Sequence, residues 1–500
     1  MRFKSYGIYL DQVPVALFIT PYNTRPKMED TTCLGVQDGM KIPDGAVLVV
    51  TLIVAGIAIM LHFIVSKRSS SRQASSKTTF YNYVPFISKA PQASKPPPRP
   101  VQQSSLQQQP HLPDSSGKRG KNKKRREVQQ DYTHPWLAGT LKGHTGIVTD
   151  MDFSSNGRHF ASCAEDRTVL LWYAKDFTSK DRKSLRVNIE FDHATLIRWS
   201  PDGKAFIIHK AVANTIEVYK IVKKPDGHLA SATKALEFPQ RHTDDVVGMD
   251  IACTGKYIIT CSKANDLIIW DLKGQPLATL ELHLGSTYRA RISPCGRFVA
   301  ASGFTPDVNV WEVVFSKSGE FKTVAKAFDL AGHSSGVLDF DFSADTNHMA
   351  TVSKDGTYRF YDTKIEFEKG EDPHVLITGT WNTTAQASVA LSPNTEVLVI
   401  AHGSSISLYS TITGTLDTTI EDIFLGPITR LTFDAMGEYL LAAGDKHIKI
   451  FRNVTGYRTA IESAKRKLEQ RQTQATKERL EKMIRDNKKL LEDIGEKCPE

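Results

Sequence analysis

The feature that most limits what this 500-residue chain can fold into is a repeat. Seven times an apolar run meets a short turn, then an alternating strand, then an aromatic residue. The turns are Ser155-Asn156-Gly157, Pro201-Asp202-Gly203, Cys253-Thr254-Gly255, Pro294-Cys295-Gly296, Ala344-Asp345-Thr346, Pro393-Asn394-Thr395 and Ala435-Met436-Gly437. The aromatic ends are Trp172, Tyr219, Trp270, Trp311, Tyr361, Tyr409 and Phe451. The aromatic follows the last turn residue by 14 to 16 residues, and successive aromatics are 41 to 51 apart. A period of roughly 40 to 50 with four short strands per unit marks the blades of a β-propeller. One blade cannot bury both of its faces, whereas seven around an axis do. The repeat therefore predicts an all-β, seven-bladed propeller over about 132–454.

Copy seven, from about Ile428 to Asn453, holds only three strands. The extended segment Trp136–Gly143 precedes copy one and supplies the fourth, so the ring is expected to close without an exposed end edge. Connections between blades are mostly short. The longer ones are expected at Lys175–Arg186, Lys220–Lys234 and Phe315–Lys326.

The stretch Ala164–Trp172 reads AEDRTVLLW, with Asp166 six residues before Trp172 and Gly143-His144 upstream. The pairs Gly143-His144 and Gly332-His333, with Trp270-Asp271, make the chain resemble the WD40-repeat family, whose marks are a Gly-His pair and a final Trp-Asp-like pair. Other copies depart from it: Asp192-His193 and Arg241-His242 replace Gly-His, and copies four, six and seven have no His in place. The resemblance implies a Ser/Thr–His–Asp–Trp hydrogen-bond network. In copy one its members are Ser162, His144, Asp166 and Trp172. In copy five they are Ser353, His333 and Asp355, with Tyr361 where a Trp might stand, and Asp445 takes the turn position of copy seven without a His. Such a group is a polar staple between turn and blade core. The sharper alternative is a catalytic His–Asp dyad. Its repetition in two copies speaks against that, since an active site needs only one.

Outside the repeat the chain changes character. Ala46–Val65 carries no formal charge, and twenty residues at about 1.5 Å rise span the roughly 30 Å of a bilayer core, which predicts a transmembrane helix. Lys67, Arg68, Arg72 and Lys77 follow it closely, and the positive-inside rule then places everything after Val65 in the cytosol. Residues 1–45 become a short lumenal, disordered segment; Met28 or Met40 is an alternative start, so residues 1–39 are given no function. Residues 66–130 are rich in Ser, Pro and Gln and hold 14 Lys/Arg against 2 Asp/Glu. This composition fills no core and reads as a disordered tether. Within it, Lys118, Arg119, Lys121, Lys123, Lys124, Arg125 and Arg126 form a block with three open readings: a solvated spacer, a contact for RNA phosphates, or a contact for the anionic membrane surface. The propeller segment 131–454 carries 33 basic and 39 acidic residues, so the net charge of +9 belongs to the tether and not to the folded body. Residues 455–500 have helical apolar spacing in a charged background. Three readings stay open for this tail: packing on the propeller or folding as a hairpin, self-association, or a solvated helix.

Six cysteines without a CxxC give neither a zinc signature nor a disulfide framework, and their positions suit small apolar residues in a reducing compartment. No nucleotide-binding glycine loop, metal cluster or activated nucleophile is present, so no cofactor or metal and no enzymatic activity are expected. A propeller on a tether is a docking platform for proteins. A more specific resemblance, to one particular member of this family, extends from about Asp131 to the C-terminus through idiosyncratic strings such as Phe191–Gly203 and Ser293–Val313. It implies a single-pass endoplasmic-reticulum membrane protein with a cytosolic propeller, linked to the unfolded-protein response through a stress-sensing kinase of that membrane, and to ribosomes and translation. Two alternatives are a guanine-nucleotide exchange factor for a secretory GTPase and an RNA- or ribosome-binding adaptor acting through the basic block. Oligomeric state is left open.

Overall fold

A computed structural model of the chain describes residues 132–496 except 180, 226 and 384, together with 9, 10, 13 and 14. The chain divides into two units, Met1–Gly120 and Lys121–Glu500. In the first, Tyr9–Leu10 pairs antiparallel with Val13–Pro14. The segment Ala46–Val65 and the basic block 118–126 lie outside the described residues. No helix among the described residues is long and apolar enough to cross a membrane.

Seven four-stranded antiparallel sheets form the body of the second unit among the described residues. Their innermost strands are Val148–Phe153, Ala194–Trp199, Val246–Ile251, Thr287–Ile292, Val337–Phe342, Ala387–Leu391 and Ile428–Phe433. Each packs against the next, and the last meets the first. The second strand of each blade, and most of the third, is buried on both faces, as in His159–Ala164, where every residue is buried. That burial explains why the turns and aromatic ends are legible in sequence: they bracket continuous apolar strands. The aromatic ends pack between neighbouring blades, Trp172 with Leu441 and Ile450 of blade seven, and Tyr409 with Ala350 and Val352 of blade five.

The ring closes as the sequence implies. Leu137–Lys142 pairs with His447–Arg452 and completes blade seven. Thr429 Oγ1 then donates to Val148 O across the seam at 2.7 Å, matching the Thr149 Oγ1 bond to Ala194 O at 2.7 Å between blades one and two.

Two expected loops prove to be strand. Blades two and four extend their outer hairpins, Ile216–Lys223 with Leu229–Glu237 and Val308–Phe315 with Phe321–Leu330. Outer strands such as Leu229–Glu237 are exposed along most of their length, so they carry the polar composition of a loop.

After Arg452 the chain forms two helices, α1 (Val454–Glu469) and α2 (Gln474–Ile494). The Asn453 side chain caps α1 by accepting the Gly456 amide, and Thr473 caps α2 by accepting from Thr476. They pack together as a hairpin whose apolar stripe, Ile461, Leu491, Ile484 and Ile494, joins the core between blades six and seven. Glu496 accepts from Trp136 Nε1 at 2.6 Å and from Arg458 Nη2 at 2.6 Å, which ties the end of the hairpin to the start of the propeller.

Candidate functional site: blade networks, central channel and end loops

In blade one the hydrogen bonds run in a line. Trp172 Nε1 donates to Ser162 Oγ at 3.0 Å, and Ser162 Oγ lies 2.9 Å from His144 Nε2. His144 Nδ1 sits 3.2 Å from Asp166 Oδ2, whose carboxylate also accepts the Thr145 amide at 2.8 Å and the Thr168 hydroxyl at 2.6 Å. Burial pulls the His144 pKa below its ordinary value despite the pull of Asp166 the other way. A neutral imidazole that donates from Nδ1 and accepts at Nε2 satisfies every member. The order of contacts matches a Ser–His–Asp nucleophile relay, but its surroundings do not. Ser162 is 0% exposed, and its oxygen already accepts the indole N–H, so no side of it is open to a substrate.

Blade five departs from the expected membership. His333 Nδ1 meets Asp355 Oδ2 at 3.0 Å, but Nε2 meets Thr351 Oγ1 at 2.7 Å and not Ser353. Ser353 instead donates to the backbone oxygens of Ser335 and Gly336. Tyr361 turns its hydroxyl to Ala331 O at 3.0 Å. Ser353 and Thr351 are two residues apart on one strand and share a face, so Ser353 sits one step beyond the reach of the imidazole.

Blade three holds a complete network that the Gly-His criterion missed. His242 Nδ1 meets Asp266 Oδ2, His242 Nε2 meets Thr260 Oγ1 at 2.6 Å, and Trp270 Nε1 donates to the same Thr260 oxygen at 2.7 Å. The signal was in the spacing: the Ser or Thr follows its His by 18 residues, and the aromatic follows by 28, in blades one, three and five alike. Elsewhere the acid works mainly on backbone amides. Asp192 accepts the amides of His193, Val212 and Ala213, and Asp445 accepts those of Leu425 and Gly426.

The channel carries a second set of charges. Strand register puts Asp150, Leu196, Gly248, Arg289, Asp339, Ser388 and Arg430 at one level. Asp152, Arg198, Asp250, Arg291, Asp341, Ala390 and Thr432 lie two residues further on. Four arginines thus face five carboxylates. Arg198 donates to Asp150 at 2.6 Å, Arg289 to Asp339 at 2.9 Å and Arg291 to Asp341, while Arg430 lies 2.7 Å from Asp150. The same acids accept amides of the next blade: Ile197 and Trp199 for Asp150 and Asp152, Ile292 for Asp250, and Val389 and Leu391 for Asp339 and Asp341. Each carboxylate therefore joins neighbouring blades as well as balancing charge.

Burial sets the electrostatics of this ring. It would raise the Asp150 pKa, but Arg198 and Arg430 outweigh it and leave the group below its ordinary value. Asp152 has weaker compensation and is pushed up to about 7 by burial, with Asp250 and Asp150 adding repulsion. Arg430 is drawn down to about 9 by burial and by Arg289, and it still keeps its proton at neutral pH. Among the described residues, no group of three or more His, Cys, Asp or Glu side chains is placed to hold a metal ion.

The third feature is the end of the ring built from the loops that enter each inner strand and those that join second to third strands. Phe191 is 94% exposed, Leu425 88%, Val212 81% and Phe304 67%. Phe191 has φ of 58°, a left-handed conformation rare for a bulky residue. Asp192 beside it is buried and accepts the Val212 and Ala213 amides, so one carboxylate joins the backbones of the two loops that carry the exposed Phe191 and Val212.

The family model of the WD domain, G-beta repeat, matches residues 136–173, 234–271 and 324–362. These are the stretches that contain the three His–Asp networks. The human transducin beta-like protein 2 is 43% identical over 376 residues, covering 75% of this chain and 84% of that protein. The mouse protein of the same name is 42% identical over 375 residues, 75% of this chain and 85% of its own length. With seven blades, the WD signature in three of them and this extent of identity, the chain belongs to the WD40-repeat family, in the branch of transducin beta-like protein 2.

Proposed function

We propose that this protein is a non-enzymatic scaffold whose propeller docks partner proteins through the end of the ring that presents Phe191, Val212, Phe304 and Leu425. The observation that carries the reading is Phe191, held at a strained φ and almost wholly in solvent, beside an acid that fixes its loop. Strain kept at an exposed apolar residue has no use in packing and suits a binding surface. The blade networks and channel pairs supply rigidity, so the end loops are presented without ordering cost on binding.

Anchoring by Ala46–Val65 at the endoplasmic-reticulum membrane, a cytosolic propeller, and partners drawn from a stress-sensing kinase of that membrane and from ribosomes belong to the same proposal. They are supported by the apolar run, the Lys/Arg bias and the family relationship. Crosslinking and affinity purification of the full chain from stressed and unstressed cells test the docking reading. The triple variant Phe191→Ala/Val212→Ala/Leu425→Ala is expected to lose its partners at least tenfold while unfolding at the wild-type temperature. Undiminished capture would reject this end of the ring as the docking surface. Protease digestion on sealed microsomes tests the topology: a C-terminal tag is expected to be digested without detergent, and its protection, or glycosylation at Asn382 in the acceptor sequence Asn382-Thr383-Thr384, would reverse the orientation. Contact of the basic block with RNA predicts co-sedimentation with ribosomes that falls steeply with salt. Equal co-sedimentation after replacing its seven Lys/Arg by Gln would reject that role.

A further inference from the structure

Cys253 and Cys295 stand apart from the other described cysteines. Cys163 and Cys261 are buried between strands, and burial pushes both thiols up to about 12. Cys253 and Cys295 are exposed and occupy the turns that follow the inner strands of adjacent blades, three and four. The two turns are in contact. Cys253 Sγ lies 3.1 Å, and the Cys253 amide nitrogen 3.6 Å, from where a Cβ on Gly296 would sit. Gly296 has φ of 72° and is fixed by its amide bond to Ser293 O at 2.8 Å and by Tyr257 Oη donating to its carbonyl at 3.2 Å. The Cys295 amide donates to Thr346 Oγ1 of blade five at 3.2 Å, and the Ser293 hydroxyl lies 3.2 Å from Cys295 Sγ.

We propose that Cys295 and Cys253 are a peroxide-responsive dithiol that closes to a disulfide between blades three and four. The Cys295 thiolate attacks one oxygen of hydrogen peroxide; the S–O bond forms, the O–O bond breaks, and hydroxide leaves. The Cys253 thiolate then attacks the sulfenic sulfur, forming the S–S bond and expelling a second hydroxide. The two hydroxides take up the two thiol protons. The net change is two thiols and one peroxide to one disulfide and two waters, with sulfur oxidised and peroxide oxygen reduced.

The surroundings divide the two roles. Burial would raise the Cys295 thiol, but hydrogen bonding with Ser293, the Arg297 amide, Thr346 and the Phe298 amide outweighs it and leaves the thiol below its ordinary value. Cys253 is raised, first by burial and then by the neighbouring Cys295. The lower-pKa thiol is the one present as nucleophile at neutral pH, and the other resolves its sulfenic acid. Cys253 also lines the channel mouth with Ser155, Pro201 and Pro294, so closing the bond alters that rim. This site lies at the opposite end of the ring from Phe191 and does not depend on the docking proposal.

The purified full chain, reduced and then treated with hydrogen peroxide, supplies the test. Peptide mapping after trypsin is expected to show residues 242–256 joined to residues 292–297, with a loss of about 2 Da that dithiothreitol restores. Before oxidation, Cys295 is expected to react with iodoacetamide at pH 7 on the order of ten times faster than Cys253. Cys253→Ser is expected to leave a Cys295 sulfenic acid that dimedone traps, and Cys295→Ser to abolish the linked peptide. The proposal is overturned if peroxide leaves the pair unlinked while Cys295 is oxidised. It is equally overturned if Cys295 pairs with another cysteine, or if dimedone traps as much sulfenic acid in wild type as in Cys253→Ser.

Discussion

A histidine, a hydroxyl and a carboxylate in line carry opposite meanings depending on who occupies the last lone pair. In blade one it is the Trp172 indole, which turns a relay-like triplet into a fastener between turn and core. Asp166 is 5% exposed, and its removal strands the His144 N–H and the Thr145 amide. Asp166→Ala is expected to lower stability by about 1–3 kcal/mol, read as a lower unfolding midpoint. His144→Ala should do likewise, and the double variant should cost less than the sum, because both remove one interaction. Full stability combined with loss of partner binding would make Asp166 a functional residue instead. The pH dependence follows from the same burial. His144, His242 and His333 all have pKa values lowered chiefly by burial, so below the unfolded value of about 6.5 the unfolded chain takes up more protons than the folded one. Their neutral burial is fully tolerated above that pH, so these three imidazoles lower stability as pH drops from 7 to 5, while Asp152, pushed up to about 7, takes up its proton more readily in the folded state and opposes them over the same range. Asp166 and Asp355, also lowered, contribute above the ordinary carboxylate range and lose that contribution only at more acidic pH. Thermal melts at pH 7, 6 and 5 of the Asp152→Asn variant, which lacks the opposing carboxylate, check this, and a midpoint unchanged with pH there would mean that these imidazoles are not held neutral. At this scale the sequence was half legible. Residue types and chain spacing mark His144 and Asp166, but a two-residue displacement along a strand is invisible without the register, which is why Thr351 and not Ser353 meets His333.

Among elements, the inner three strands of each blade were easy to read and the outer ones were not. The second and third strands are mostly apolar because both faces are covered, and the innermost keep one apolar face; an outer strand such as Phe321–Leu330 meets solvent and has the composition of a surface loop. The channel charges were illegible for a related reason. Alternation in VTDMDF and VLDFDF identifies strands with one polar face, yet only closure of the ring turns that face towards six other strands. The helical hairpin shows the reverse case, where spacing gave helix but not its address. Leu491 is 0% exposed and belongs to the core between blades six and seven, although it lies on the last helix. Leu491→Ala is expected to cost about 2–4 kcal/mol and to lower the midpoint of the whole propeller in one transition. Two separated transitions in calorimetry would mean that the hairpin is an independent appendage.

For the whole molecule, the channel ring joins all the scales, since its carboxylates bridge blade to blade. Asp150 is 1% exposed and serves Arg198, Arg430 and the Ile197 amide together. Asp150→Asn leaves two buried guanidinium groups short of their counter-charge, and breaking such a pair costs about 3–5 kcal/mol. The expected readout is a large fall in the urea midpoint with an unchanged circular-dichroism spectrum below it; a fall of less than about 1 kcal/mol would show that water compensates the arginines and that the ring is not stabilising. The closing strand has a consequence of another kind, in time. Leu137–Lys142 is made before its partner His447–Arg452, and some 300 residues separate them. At about 5–20 residues per second, synthesis leaves that strand without its mate for roughly 15–60 seconds. An unpaired strand edge is a template for other strands, so every nascent copy passes through an interval in which six blades can form while the seam stays open. Proteostasis of this protein is therefore decided late in its translation, when the seventh blade emerges.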